Sequence, residues 1–561
     1  MQKKTQFLKV LILTTAFMLL VGSIAGFAEP WKFGVIADTQ WLNNDDGKNP
    51  NTVAADVIKQ VDREFILKGV RFVVAVGDTV DVPSLGSLDT RALFAQDLYN
   101  AGIGFYPLRG NHESEMPGSG PEFIRIFPQN LNGLNNLTPS DINPSIGTDA
   151  FLAPDSKVGF PFKIGSNFNS PSLTFNGVSI KGLTYSFDYE NARFILLDQF
   201  DNSGNTTNTT IPQQQNWITQ RLSDKKRPDH AFVFAHKGLI TENHADGLFG
   251  PNPASDPAST DAFIASLANH GVQYLIGGHD HMHNRAVVST TDGKTAIVHE
   301  LICASDSNKF YTPVNPSNDT KYDNPAREIP LSQDLYQIGY YIVTVDGPHV
   351  TFEYYGVPSG QIGGLISATP VLSGNWEKRE TFGYSLNGAE FLVGQGQSYT
   401  IVQDSFRGTT ASILAGINGS TAQDAGGRRL TKAIYTGWSK TNPGAASDIL
   451  RLGGMAKGFG TQETDVYVLS MSYEGRSLRT DELKSGLFGL ATRNGKGNWI
   501  NAVTKNFGGV EKQFVVGPWT AGYGLGTYGI DPSTHTAWAV INFNGEFTVA
   551  GFGDSDEPDR R

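Results

Sequence analysis

The sequence predicts an α/β unit followed by an all-β sandwich-like unit. Three observations carry this. From residue 31, apolar strand-like runs alternate with stretches of helical periodicity, and each run ends on a polar cluster. From residue 373, short apolar-alternating runs are separated by Gly, Asn and Asp turns. With 561 residues, the chain is too long for one ordinary core.

The elements follow in order. Residues 31–37 form an expected strand ending at Asp38. Val53, Val57, Val61, Phe65 and Ile66 share a face of a helix expected over 52–68. Residues 72–76 read as a buried strand ending at Gly77-Asp78, and 90–101 as a helix. The short strand 104–108 leads to Gly110-Asn111-His112. Residues 184–189 and 192–198 pair about Glu190-Asn191. A helix over 213–222 precedes the strand that ends at His236. A helix over 260–269 and a strand over 272–276 precede Gly278-His279. A hairpin of 339–345 and 350–355, about Asp346-Gly347-Pro348, closes the unit. Ligand sites in open α/β sheets lie at the C-terminal ends of strands, where these polar clusters fall.

The expected domain plan is an export signal over 1–28, an α/β domain over 29–357, a linker over 358–372, a β-domain over 373–553 and a charged tail over 554–561. Within the first domain, 117–182 is rich in Asn, Pro, Ser and Gly and reads as a long insertion or lid. Its Phe151, Phe160, Phe162 and Phe168 either pack over a substrate or anchor the loop. In the second unit, strands are expected over 398–402, 465–471 and 536–543. Trp376, Trp438, Trp499, Trp519 and Trp538 read as its core rather than a carbohydrate platform.

Lys3, Lys4 and Lys9 precede an apolar run over 10–25, and Gly26-Phe27-Ala28 sets small residues before Glu29. That pattern predicts a cleaved signal, hence a secreted or extracytoplasmic protein with no stable membrane span. Cys303 stands alone, which excludes an intrachain disulfide, and it reads as a buried core residue. Net charge is −11, and after the first ten residues basic side chains gather only in short runs such as Lys225-Lys226-Arg227. Nucleic acid is therefore not an expected partner. A small phosphorylated substrate remains open, because bound metals supply local positive charge.

Five blocks carry the chemistry: Asp38-Thr39-Gln40, Gly77-Asp78-Thr79-Val80-Asp81, Gly110-Asn111-His112-Glu113, His236, and Gly278-His279-Asp280-His281. Singly, each is an ordinary turn or surface group. Together they collect Asp, Asn and His, the donor set that holds two divalent cations side by side. Asp78, on a glycine turn, is the expected bridging carboxylate. Asn111 offers an amide oxygen, and His236, His279 and His281 offer imidazoles. His112 is left free to act on substrate. Asp198, Asp201 and His244 read as turn or surface groups. Lys237 is either solvated or turned toward a phosphate oxygen.

These motifs, Asp-x-Gln, Gly-Asp-x-x-Asp, Gly-Asn-His-Glu, a strand-end His and Gly-His-x-His, resemble the calcineurin-like metallophosphoesterase superfamily over residues 31–357. Leu108 to Glu113, Tyr185 to Tyr189 and Gly278 to Arg285 are similar to its secreted, purple-acid-phosphatase-like branch. The resemblance implies a four-layer α/β/β/α sandwich. It implies that Asp38, Asp78, His281 and, in place of the usual histidine, Gln40 hold one metal. Asp78, Asn111, His236 and His279 hold the other. His112 is then the catalytic histidine, oriented by Asp81, and a water or hydroxide between the metals attacks phosphorus in line. Asp81 stands where the purple enzymes have tyrosine, which argues against a purple iron centre. His283 replaces an aromatic residue often found there. Gln40 favours harder ions, so Mn²⁺ is expected ahead of Fe, Zn²⁺ or Mg²⁺.

The implied function is a secreted hydrolase of phosphate esters, with monoesters ahead of diesters. Two alternatives stay open. One is a phosphodiesterase or nucleotide pyrophosphohydrolase, which the Asp-x-Gln form also resembles. The other is a non-catalytic surface protein on a relic of this fold, whose C-terminal domain binds a wall or partner surface.

Overall fold

The computed structural model describes residues 29–42, 48–116, 118–135, 162–251, 256–293, 295–313, 327–360, 364–365, 375–394, 398–404, 409–413, 427–429, 431–439, 444–474, 481 and 485–553. The expected signal, most of the expected linker, Phe151, Phe160 and the tail lie outside these residues.

Two sheets face each other. The first runs, edge to edge, Glu377–Ser385, His349–Pro358, Gln337–Asp346, Trp31–Ile36, Phe72–Val76 and Gly104–Leu108. Its last three strands are parallel, so their C-terminal ends share one rim. The second sheet has nine strands among the described residues. At its centre Ala192–Leu197, His230–Ala235, Tyr274–Gly277 and Ile297–Ile302 are parallel. These strands read as continuous Val, Ile, Leu and Phe runs because both of their faces are covered.

Between the sheets lies an aromatic core. Phe33 stacks on Phe72 with ring centroids 5.6 Å apart, and Phe194 meets Phe33, Phe72, Phe187 and Phe232. Outside the first sheet pack the helices Ala55–Lys68, Leu85–Leu93 and Ser119–Ile126. Outside the second pack Ile211–Ser223 and Pro257–Asn269. The order of layers is therefore α/β/β/α, as expected.

Local differences have local causes. The first helix begins at Ala55, and Ile58 rather than Ile66 completes its buried face with Val57, Val61 and Phe65. Ile66 is exposed, because at 100° per residue it falls away from the face shared by Val57, Val61 and Phe65; Gly69 ends the helix at φ 69°. The single helix expected over 90–101 is two, Leu85–Leu93 and Gln96–Asn100. Ser84 starts the first by accepting a hydrogen bond from Ser87 N at 3.1 Å.

The described part of the 117–182 insertion is packed against the domain. Ser119–Ile126 and Gln129–Asn132 are helical, Ser166–Asn169 extends the second sheet, and Phe168 stacks on Phe187 at 5.3 Å. Phe162 and Phe168 thus act as anchors.

Among the described residues the C-terminal unit contains two six-stranded sheets, with Trp438, Leu450, Leu469, Ile541 and Phe547 among the side chains of its core. The strand expected over 398–402 is found instead at Gln403–Asp404, while Glu463–Ser472 and Thr536–Phe543 match their expected positions. The expected start at residue 373 is corrected by strand pairing. Glu377–Ser385 pairs with His349–Pro358 in the first sheet, and Gly427–Arg429 pairs with Glu328–Asp334 in the second. Alternation marks a strand but not its partner. Trp376 follows that strand into the first core, where its ring meets Tyr340 at 4.9 Å. Cys303 is buried in the aromatic core. No helix among the described residues is long and apolar enough to cross a membrane.

Candidate metal centre

The five blocks converge on one rim. Trp31–Ile36, Phe72–Val76 and Gly104–Leu108 deliver Asp38, Asp78 and Asn111-His112 from the first sheet. His230–Ala235 and Tyr274–Gly277 deliver His236 and His279–His281 from the second. Two groups of donor atoms gather there: Asp38, Asp78 and His281, and Asp78, His236 and His279. Asp78 belongs to both. Within each group the ligand atoms lie within 4.8 Å of one another.

Four of these residues sit in the left-handed region: Asp38 at φ 52°, Asp78 at 46°, His279 at 73° and His281 at 52°. Non-glycine residues seldom adopt it, and such strain clusters where side chains must be aimed. The turn beneath Asp78 is braced by Glu113. Its Oε1 accepts from Thr79 N (2.7 Å), Thr79 Oγ1 (3.0 Å) and Val80 N (3.1 Å), and its Oε2 accepts from Gly110 N (2.6 Å). Gly110 has to be glycine, because a Cβ there would stand 2.0 Å from Asp78 Oδ1.

Backbone carbonyls set the imidazoles. His236 Nδ1 donates to Val76 O at 2.9 Å, which turns Nε2 to Asn111 Oδ1 (3.0 Å) and Asp78 Oδ2 (3.3 Å). His281 Nδ1 donates to Lys309 O at 2.9 Å, leaving Nε2 facing Asp38 Oδ1 at 3.6 Å. Such outer bonds fix the tautomer that presents a lone pair to a cation. His279 Nε2 is buried without a hydrogen-bond partner.

The electrostatics also fit cations. Burial pushes Asp38 well above the usual carboxylate range, and the neighbouring Asp78 adds to the rise. Burial also works against ionisation of Asp78, but the charges of His236 and His112 outweigh it and hold Asp78 low. Burial lowers His236, but Asp78 more than compensates and raises it to about 9. Burial drives His281 down to about 3, and it also keeps His279 low. An orphaned imidazole nitrogen and two buried carboxylates in mutual repulsion are what divalent cations would satisfy, so this donor set fits two metal ions.

The remaining expected residues fall as follows. Asn111 joins the second group through its contact with His236. His112 stands at the mouth, with Nδ1 donating to the backbone carbonyl of Asp81 at 2.5 Å. Asp81 thus orients His112 through its main chain. Its carboxylate is 3.9 Å from His112 Nδ1 and bonds Lys309 Nζ. Gln40 is buried between Asp78 and Lys309, and only with its amide turned so that both atoms find partners does its oxygen accept from Lys309 Nζ.

Several neighbours are placed otherwise than the sequence suggested, and Tyr311 and Asp246 were not singled out there. His244, read as a surface group, stacks on His279 at 3.9 Å and bonds Asp280 Oδ1 through Nδ1 at 2.7 Å. Lys237 is buried, paired with Asp246 and bonded to Thr206 O at 2.9 Å. With Tyr311, these groups line the cleft above Asp78, Asn111 and His112. Burial, with Asp78 and Asp38 nearby, raises Tyr311 to about 12. Asp198 is a buried partner of Arg109 at 2.6 Å, and Asp201 caps an exposed turn. His283 is buried, stacked on Tyr354 at 4.2 Å and bonded to Glu380. Glu113 carried a readable signal, since a Glu three residues after a turn glycine can reach back to that N–H.

Two predictions follow from this geometry. Gly110→Ala should displace Asp78 and lower bound metal by about half or more; elemental analysis of the purified protein checks this. The second concerns Glu300, which accepts the Leu239 and Ile240 N–H groups just beyond His236. Burial raises Glu300 to about 8. A raised carboxyl contributes stability that is complete below its ordinary value and is lost as pH rises through the folded one. The melting temperature of the wild type relative to that of Glu300→Gln should therefore fall from pH 5 to about 8. Equal slopes in the two proteins would refute it.

No curated protein sequence matches the chain significantly. Among solved structures, similarity extends to GAP50, the anchor in the inner membrane complex of Plasmodium, at 16% identity and TM-score 0.34, over 60% of this chain and 89% of that one. A dimetal phosphatase from Danio rerio matches at 17% identity and TM-score 0.31, over 58% of this chain and 97% of that one. The purple acid phosphatase PPD1 of yellow lupin (Lupinus luteus) seeds matches at 16% identity and TM-score 0.34, over 64% of this chain and 54% of that one. Residues 32–283 match the family model of the calcineurin-like phosphoesterases. That segment holds all five blocks and both donor groups, and through it the chain carries a calcineurin-like phosphoesterase domain.

Proposed function

We propose that this protein is a metal-dependent hydrolase of phosphate esters, acting on monoesters ahead of diesters. The observation that carries the reading is the pair of donor groups sharing Asp78 at the rim of two sheets, with His112 at the mouth. Asp38, Asp78 and His281 would hold one divalent ion, with Gln40 beside it. Asp78, Asn111, His236 and His279 would hold the other, and Mn²⁺ is the first choice. Two such ions, when bound, supply an activated water and neutralise charge on the phosphoryl oxygens.

The chain's own residues do the rest. His112, held through Nδ1 by the Asp81 carbonyl, presents Nε2 to the cleft. From there it donates a hydrogen bond to the phosphoryl group or a proton to the leaving oxygen. Lys237 and His244 set a polar wall that receives a dianionic head, which favours a monoester. Tyr311 keeps its phenol proton and offers a ring 4.8 Å from that of His244. That ring is the observation favouring the second reading, a diester or nucleotide substrate whose leaving group stacks there. Export from the cytoplasm rests on the basic, apolar and small-residue order of residues 3–28, and the intact mass of the exported chain tests it.

Hydrolysis of para-nitrophenyl phosphate and of its bis-ester, each with Mn²⁺, Mg²⁺, Zn²⁺ or Fe added separately, tests the substrate class. Turnover of the monoester should exceed that of the bis-ester. His112→Ala should lower kcat by about 10²-fold or more while metal content stays unchanged. Absence of turnover with every metal would instead favour the non-catalytic surface protein.

A further inference from the structure

Lys309 belongs to none of the expected motifs, yet three contacts fix it against the centre. Its carbonyl accepts from His281 Nδ1 at 2.9 Å. Its Nζ bonds the Asp81 carboxylate. In the amide orientation that gives each atom of Gln40 a partner, Gln40 Oε1 accepts from Lys309 Nζ at 3.2 Å, and Gln40 Nε2 donates to Asp78 Oδ2 at 3.2 Å. The main chain is held too: Lys309 N donates to Ser307 Oγ at 3.0 Å, and Lys309–Phe310 pairs with Gly364–Leu365. The side chain is only 12% exposed.

We propose that Lys309 is a resident cation on the Asp38–Asp78–His281 side of the centre, and that it makes this the weaker of the two divalent-metal positions. The inference rests on the dinuclear reading above. Its reasoning is electrostatic. An ammonium a few ångström from a partly buried position repels a second cation there, and solvent screens that repulsion poorly. It also takes up the one oxygen through which Gln40 would coordinate. Beside the other position stands the buried Lys237, but its Nζ bonds Asp246 and Thr206 O rather than a donor of that position, whereas Lys309 bonds Gln40 itself. Lys309 does not line the cleft, so it is a positioning residue for metal rather than a contact for substrate. It also explains the pairing of Gln40 with Asp81: one offers a carbonyl and the other a charge to the same ammonium.

Titration calorimetry of the full chain, stripped with chelator and then loaded with Mn²⁺, tests this without recourse to turnover. The wild type should bind two ions with unequal affinity. Lys309→Met should tighten the weaker event by about tenfold or more, as expected when a unit charge is removed from a partly buried site. The tighter event should stay within about twofold, and Lys309→Arg, which keeps the charge, should leave both affinities apart. Lys309→Gln retains a donor for Asp81 and should behave as Lys309→Met, so a folding failure of one neutral variant leaves the other to decide. An unchanged or weaker second event in the neutral variants overturns the role of Lys309 alone. A wild type that binds no Mn²⁺, or binds it no worse as Asp78→Ala, overturns the dinuclear reading and this inference together.

Discussion

The structure depends on holding one carboxylate, Asp78, ionised and fully buried between two sheets. That is an expensive state, since a buried charge without partners costs several kcal/mol or more. The surroundings are arranged to offset it. His112 N donates to its Oδ1 at 3.0 Å, and His236 approaches its Oδ2 at 3.3 Å. Glu113 holds the turn at φ 46° that Asp78 needs, and Gly110 leaves the space it fills. Even so Asp38 stays well above the ordinary carboxylate range. Two neighbouring buried carboxylates cannot both ionise comfortably without cations.

Convergence of this kind demands a stiff frame, and the aromatic core between the sheets provides one. Interlocked rings at centroid distances of 5.0–5.6 Å fix how far apart the two rims stand. Parallel strands then place their C-terminal ends on the same side, so loops distant in sequence meet. Main-chain carbonyls near these ends hold the imidazoles: Val76 holds His236, Lys309 holds His281 and Asp81 holds His112. These bonds leave the outer nitrogens aimed inward. Rigidity of the strands therefore becomes orientation of the ligands.

Most of the first domain was legible in the sequence because a buried parallel strand is a continuous apolar run and its end is marked by Gly-Asp, Gly-Asn or Gly-His. Phe72–Val76 and Gly104–Leu108 fell where expected for that reason. Partner choice was not legible. Glu377–Ser385 alternates like any strand of the second unit, yet it pairs with His349–Pro358 and sends Glu380 inward to His283 and Arg285. The gathering of the motif residues was readable from their chemistry. The supporting residues were not, because Lys309 and Asp246 lie on two-residue strands and Tyr311 just beyond one, too short to show a periodic pattern or a motif spacing. Their role arises only from distance in space.

Gln40 shows how a single letter can be read two ways until its neighbours are known. As an isolated substitution it resembles a weakened ligand. In place, its amide works in both directions, donating toward Asp78 and accepting from Lys309. A carboxylate there would add a third buried negative charge beside Asp38 and Asp78. An amide adds none, and it relays the lysine's field toward the shared carboxylate through hydrogen bonds. The two halves of the centre are thus unlike by construction. One is built from two imidazoles and an amide around Asp78, the other from two carboxylates and His281 beside a fixed ammonium. On the dinuclear reading, that asymmetry gives the first ion to bind a defined place, next to His236 and His279, and leaves the second to compete with a charge the fold already carries.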